Sequence, residues 1–363
     1  MTFPERAKNK VFEFPIPIPQ PQHFKQSIRA KLIFLFILFT VVPVIVIGTF
    51  SFAVAAHTLE SQAQDVIESV ANLKAIRLES FFKRIRGDIV IAQTLYNAKR
   101  LFPIIIRYAD HRDNSRYILA KATLDEQFKI WGRVRHEIVS AGFVNPQGKV
   151  VYIMDESEPD SDSLLDQSLP DPGGNAFEQG KRGIYISELF ESRRNLNHPL
   201  KMLVTLPVLG FKNEFIGVIF FEIDMTFIFE FIQDATGLGD TGETYVVRNV
   251  GDGALFLNNL RHDPNSALKR KEIFGSSAAL PAQEAVRGKN GAGISVDYRG
   301  KKVIAAWRYM PLMDWGLVTK VDADEVFAPV KQLKKTVLVI GFIILFAGMP
   351  ILLLTLRSIF IKL

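Results

Sequence analysis

The chain has 363 residues, 48% of them hydrophobic, no cysteine, and 44 basic against 38 acidic side chains, a formal charge of +6. Residues 1–31 hold six basic side chains against two acidic ones, and the last seven residues add Arg357 and Lys362 with no acid, so the whole excess lies in the two tails. A neutral body lacks the basic stripe that phosphate contacts require, which argues against nucleic acid as a partner, and without cysteine no disulfide constrains it.

The leader contains FPIPIPQPQ, with Pro15, Pro17, Pro19 and Pro21 on alternate residues, a spacing that enforces extension and forbids a helix. Between Lys31 and His57 lie 25 residues without a charge, and between Lys335 and Arg357 lie 21 more. A bilayer core takes about 20 apolar helical residues, so both runs are long enough to span. The first exceeds the apolar core of a cleavable leader, which is about 7–15 residues, and reads as an anchor. Lys25, Arg29 and Lys31 before the first run, and Arg357 and Lys362 after the second, place both termini in the cytoplasm. Lys331, Lys334 and Lys335 oppose this weakly, because a long translocated segment largely escapes the charge rule. Residues 57–335 are then extracytoplasmic, long enough to bury a core without staples. The chain reads as a two-pass protein of a bacterial inner membrane, with the lipid bilayer as its first partner.

Leu59, Ala63, Val66, Val70 and Leu73 recur at helical spacing after the first span; the pattern slips one place and resumes at Leu78, Phe81, Ile85, Ile89 and Ala92. This predicts one long helix whose stripe packs on its own domain, forms a seam with a second copy, or does each at a different height. Pro103 is expected to bend or end it, and a second helical piece spans about 114–133. From Arg135 the period becomes two: GFVNPQGKVVYIM reads as a hairpin around Asn-Pro-Gln-Gly. An acidic, Pro/Gly-rich insertion, 155–174, precedes strands at 183–187, 201–207 and 215–224. A short apolar helix then leads to a second hairpin, TYVVRNVGDGALFL, two further strands, and a helix entering the second span. Both halves finish as strand, Pro, turn, Gly, strand, acid, helix, with Pro207, Gly217 and Glu222 or Asp224 answered by Pro311, Gly316 and Asp322. The fold class is therefore α+β, a duplication of antiparallel-sheet modules stacked on one long helix.

No catalytic constellation is present. Gly237, Gly239 and Gly242 spell a dinucleotide fingerprint, but here a helix precedes them and a strand follows, the reverse of what pyrophosphate binding needs. The six histidines are scattered, so no zinc set is expected. The acidic run 155–162 lacks the ligand spacing and mid-loop glycine of a calcium loop. We expect no metal and no cofactor. What remains is a pocket: alternation puts Val218, Phe220, Glu222 and Asp224 on one face of their strand and Ile219, Phe221 and Ile223 on the other, free to pack on the long helix. Arg135, Tyr152, Tyr185, Ser187 and Thr205 are the nearby candidates to line a site with Glu222 and Asp224, and Trp131 is a candidate to close it from the helix.

FIGVIFFEIDM followed by TGLGDTGETYVV resembles the joint between the two modules of double Cache domains, the extracytoplasmic sensors of bacterial signalling receptors. The resemblance covers about residues 32–357 and implies tandem PAS-like modules, a membrane-distal one over 134–228 and a membrane-proximal one over 229–335. It further implies a small-molecule ligand in the distal module and a homodimer. Glu222 falls where many such sensors place an aspartate that holds a ligand's positive group, which favours an amine or other cation. GNAFEQGKRGIYIS lacks the Arg-x-Trp-aromatic run of the amino-acid-binding subset, so an ordinary α-amino acid is not implied, and an organic acid held by Arg135, Lys181 or Arg182 stays open. RSIFIKL resembles the first turn of a HAMP relay helix, which implies an output either in sequence beyond Leu363 or in a separate cytoplasmic signalling protein. The second reading of the chain is an anchored adaptor that binds another envelope protein without sensing a small molecule.

Overall fold

A computed structural model describes residues 28–155, 164–192 and 200–361. The Pro-rich leader and nearly all of the acidic run lie outside the described residues. The chain divides into two units, one of residues 55–329 and one formed by the segments on either side.

The larger unit is built on α1 (Ile28–Thr94). From Leu78 to Ala92 its apolar stripe is buried as the spacing predicts. Earlier the expectation shifts: Val66 and Leu73 point outward, 48% and 62% exposed, and the buried line runs through Ile67, Ala71 and Lys74. A seven-residue repeat drifts around a 3.6-residue helix, and a buried lysine hides the inner line from an apolar count. The Lys74 ammonium donates to the carbonyls of Ile232 and Asp234, both at 2.6 Å, and to Thr244 Oγ1 at 3.0 Å. Desolvation, partly offset by Asp234, pulls its pKa down to about 8.

The helix breaks at Leu95, whose ψ of 130° is extended, and α2 (Tyr96–Arg107) begins at once. Pro103, expected to bend or end the long helix, instead lies inside α2. Asn114 caps α3 (Ser115–Val134), its Oδ1 accepting from the Arg116 amide at 2.9 Å. There follow β1 (Ile138–Val144), β2 (Val150–Asp155), α4 (Ala176–Gly180), β3 (Tyr185–Ile186), β4 (Phe190–Glu191), β5 (Leu200–Leu209) and β6 (Phe215–Asp224). They form an antiparallel sheet of order β2-β1-β6-β5-β3, with β4 also on β5. The helix α5 (Thr226–Gln233) leads into β7 (Glu243–Asn249), β8 (Gly253–Phe256), β9 (Lys271–Ile273), α6 (Leu280–Ala285), β10 (Gly291–Val296), β11 (Lys302–Met310) and β12 (Trp315–Asp322). This second sheet has the order β10-β11-β12-β7-β8-β9. Reading β7, β8, β12, β11 and β10 as counterparts of β1, β2, β6, β5 and β3 reproduces the first order, so the duplication seen in the motifs is also one of topology.

One face of both sheets contributes to a continuous core with α1: Phe81, Phe82, Ile85 and Ile89 share it with Ile219, Phe221 and Ile223 of β6 and Leu317 of β12. Burying a side chain of this size is worth about 1.5–3 kcal/mol, so this core is the main adhesive of the unit. The opposite faces carry separate clusters, one around Val218 and Phe220, one around Tyr245 and Val318.

After β12 come α7 (Ala323–Val326) and α8 (Ala328–Ile361). Glu325 of α7 explains the glycine-rich TGLGDTG segment. Its carboxylate accepts from the amides of Asp240 and Thr241, both at 2.8 Å, and from the Thr241 hydroxyl. A Cβ on Gly239, which has a φ of +77°, would collide with that carboxylate. Burial alone would raise the Glu325 pKa, but these bonds from Thr241 and Asp240 hold it below the usual carboxylate value. The amides that spell a phosphate site thus bind a side chain of their own chain.

The smaller unit pairs the first part of α1 with α8. Gly48 lies against Val337, Gly341 against Val44 and Gly348 against Phe36, a falling register that makes the segments antiparallel. Phe39 and Phe50 are 72% and 71% exposed, and both helices are long and apolar enough to cross a membrane.

Candidate functional site

Lateral pairing settles which side chains share the outer face of the first sheet. Glu222 on β6 stands in register with Ser140 on β1 and Leu203 on β5; Asp224 stands opposite Lys201, and Phe220 opposite Thr205. Tyr185 pairs with Thr205, which brings β3 onto the same face. Gly142 sits beside Phe220, and a Cβ there would collide with the ring, so glycine is what lets that ring lie across β1.

This face has two halves. Val144, Val150, Ile153, Leu203, Val218 and Phe220 are buried beneath α4 and its neighbours. Toward the end of β6 the lining turns polar although it stays buried: Ser140 is 0% exposed, Lys201 1% and Glu222 2%. Ser140 Oγ donates to Glu222 Oε2 at 3.2 Å. Lys201 Nζ lies 3.8 Å from Asp224 Oδ2, while Asp224 Oδ1 accepts from the Thr226 amide at 2.9 Å, at the start of α5. Charges withdrawn from water on this scale are tolerated only when compensated by opposite charge and hydrogen bonds. Two acids and one lysine, with a serine between strands, present both signs within one cluster.

The eight residues expected around the ligand divide between the two faces. Glu222, Asp224, Tyr185, Ser187 and Thr205 stand together on the outer face. Two of these hydroxyls serve the framework: Thr205 Oγ1 donates to the Ala176 carbonyl at 3.0 Å, and Ser187 Oγ accepts from the Leu203 amide at 2.8 Å. Tyr185 is half-buried, and burial, with Asp171 and Glu188 nearby, raises its pKa. Trp131, Arg135 and Tyr152 do not join them. Tyr152 is packed toward Phe102 and Phe128, its hydroxyl donating to Asp125 Oδ1 at 3.0 Å. The cause is a β-bulge: Val144 pairs with Val150 but Phe143 with Tyr152, so one extra residue in β2 reverses the parity that a regular hairpin would give. Trp131 lies on Phe221 at 5.5 Å between ring centres, on the helix side, because α3 packs against that face. Arg135 Nε donates to Asp88 Oδ2 of α1 at 2.9 Å. Lys181 pairs with Glu178 on the surface, and among the described residues the buried cation of the site is Lys201, a residue the sequence reading missed. A signal was present: in KMLVT, alternation places Lys201 on the same face as Thr205.

The second sheet differs at the equivalent place. Lys320 on β12, 0% exposed, pairs in register with Glu243 on β7. Its ammonium lies 3.1 Å from Glu243 Oε2, 3.3 Å from Asp297 Oδ2 and 3.7 Å from Asp322 Oδ1. Tyr298 donates to Glu243 Oε2 at 2.8 Å, and Arg299 bonds both Asp297 and Asp322. Burial alone would raise the Asp297 pKa, but the hydrogen bonds from Arg299 and the charge of Lys320 lower it.

Comparison with known proteins places this geometry. A comparison with curated proteins returns no match. Among solved structures, the extracellular domain of the putative histidine kinase soHK1S-Z6 is 13% identical with a TM-score of 0.50, covering 75% of this chain and 98% of that one. The periplasmic sensory domain of the Campylobacter jejuni chemoreceptor Tlp1 is 16% identical with a TM-score of 0.47, covering 75% and 99%. The ligand-binding domain of Mlp24 with asparagine is 19% identical with a TM-score of 0.45, covering 74% and 99%. The model of one family, described as Cache domain (dCache_1), matches residues 54–330. The two sheets of one topology on a single long helix, flanked by two apolar helices, are therefore those of a double Cache sensory module, and the chain belongs to the Cache domain family.

Proposed function

We propose that the protein is a membrane-anchored receptor whose first, membrane-distal module binds a small molecule outside the cytoplasm and passes the signal through the two membrane spans. The observation that carries this is the buried polar end of the first sheet, where Glu222, Asp224, Lys201 and Ser140 converge above an apolar floor. A few directed polar groups beside apolar side chains suit a small molecule. The Glu222 carboxylate suits a ligand that carries an amine or other cation, and Lys201 offers a counterpart for an anionic group. Both termini face the cytoplasm, as the basic tails direct.

The working form is a homodimer. The outward line of α1, with Val66, Leu73, Ile76 and Val90 all exposed, recurs at near-heptad spacing and matches a second copy of the same helix. Ligand-driven repacking of the first sheet against α1 then alters the helix pair that enters the membrane, provided the ligand binds one arrangement more tightly than the other. Output passes to a cytoplasmic signalling domain or protein.

The test is a thermal-shift and calorimetric screen of the full chain in lipid nanodiscs against amines, amino acids and organic acids. A stabilising ligand whose affinity falls in a Glu222→Gln variant is the expected result. No binder across the panel, or a binder indifferent to both Glu222→Gln and Lys201→Met, removes the proposed site.

A further inference from the structure

A second feature lies away from that face. The helices α2 and α3 are packed side by side and leave between them an open groove of about 650 Å³. Asn97, Arg100, Ile104 and Arg107 follow one another at steps of three and four along α2, and Arg116, Leu119 and Thr123 do the same along α3. Arg100, Arg107 and Arg116 therefore border one groove that Leu101, Ile104 and Leu119 also line. No acidic side chain among the described residues lines it. Among the described residues, Arg100, Arg107 and Arg116 have no carboxylate partner, whereas neighbouring Arg112 is paired with Asp166 at 2.6 Å. Arg116 reaches only the Tyr108 hydroxyl, at 3.4 Å. Leu119 is 71% exposed between these cations.

We infer that this groove docks an acidic, amphipathic segment of another envelope protein. Like charges left together without acids repel, and an anionic partner reverses that cost on binding. Arginine with exposed apolar side chains, rather than lysine, is the composition of a protein interface. Spacing selects the kind of occupant: seven residues separate Arg100 from Arg107, a rise of about 10 Å along the helix. A helical or extended peptide presents acids at that spacing while its apolar side chains lie on Leu101, Ile104 and Leu119. The groove is separate from the face that carries Glu222, so it stands or falls independently of the ligand site.

The experiment uses the full chain in phosphatidylcholine nanodiscs and a fluorescein-labelled Glu/Leu peptide helix with acids at heptad spacing, read by fluorescence anisotropy. Saturable binding that weakens with salt and drops about tenfold or more in Arg100→Gln/Arg107→Gln/Arg116→Gln supports the inference. The charge-matched variant Lys129→Gln/Arg133→Gln/Lys212→Gln should bind as the wild type does. If the triple groove variant misfolds, each single variant should carry part of the loss. Absence of saturable binding, equal binding by the groove variants, or displacement by tricarballylate at the same concentration as by unlabelled peptide overturns it; the last result would make the groove a small-anion site.

Discussion

The two sheets share one strand order but carry opposite charges at matched positions. On the central strand of the first, Glu222 faces a serine across the ladder; on that of the second, Lys320 faces Glu243. Two residues later each strand has an aspartate, Asp224 or Asp322. In the second sheet the ammonium is supplied by the chain itself and is enclosed by three carboxylates and Arg299. Lys320 occupies the position on its strand that Glu222 holds in the first sheet. A duplicated scaffold can therefore keep one strand order while reversing the sign of a buried charge at a matched position.

Breaking the second cluster should have the largest effect. Lys320→Ala leaves Glu243, Asp297 and Asp322 buried without their ammonium and should cost about 3–5 kcal/mol, seen as an early transition in thermal unfolding. A loss under about 1 kcal/mol would mean that water reaches the cluster.

The hold of α1 on the second sheet comes next. Burial pulls the Lys74 pKa down to about 8 from the 10.5 of an ordinary lysine, so between these pH values the unfolded chain binds more protons than the native one. Stability should therefore rise with pH across that window, by on the order of 3 kcal/mol relative to Lys74→Met. Denaturant titrations of both proteins at the two ends of the window measure it; parallel pH profiles would show that Lys74 is not desolvated.

In the first sheet, Glu222→Gln should weaken a cationic ligand about tenfold or more, roughly 1.4 kcal/mol, while barely affecting the thermal transition of the second sheet. Calorimetry gives the first quantity and scanning calorimetry the second. The smallest effect concerns the opposite face. Tyr152→Phe loses one hydrogen bond to Asp125 and should cost about 1 kcal/mol with ligand affinity unchanged. A fall in affinity would bring Tyr152 into the site after all.

The legible parts of the sequence were those in which one rule ran uninterrupted. Two uncharged runs announce the apolar helices, and unbroken alternation from Val218 to Asp224 assigns both faces of β6. Legibility ended where one residue changed the count. The extra residue in β2 turned Tyr152 to the helix side, and Lys74 displaced the buried line of α1 from the apolar one. The break at Leu95 carries no Pro or Gly, so it was invisible beside Pro103. The cluster of Glu243, Asp297, Lys320 and Asp322 joins residues far apart in the chain, and only the lateral register of β7 and β12 brings its ends together.

The carboxylate of Glu325 has a practical consequence for receptor engineering. It fastens the glycine-rich connection before β7 to the short α7, only two residues before α8 begins. A chimera joined upstream of Glu325 would replace the clasp and leave the TGLGDTG amides facing a foreign side chain. A junction on the membrane side of Ala328 would carry the fastening over intact.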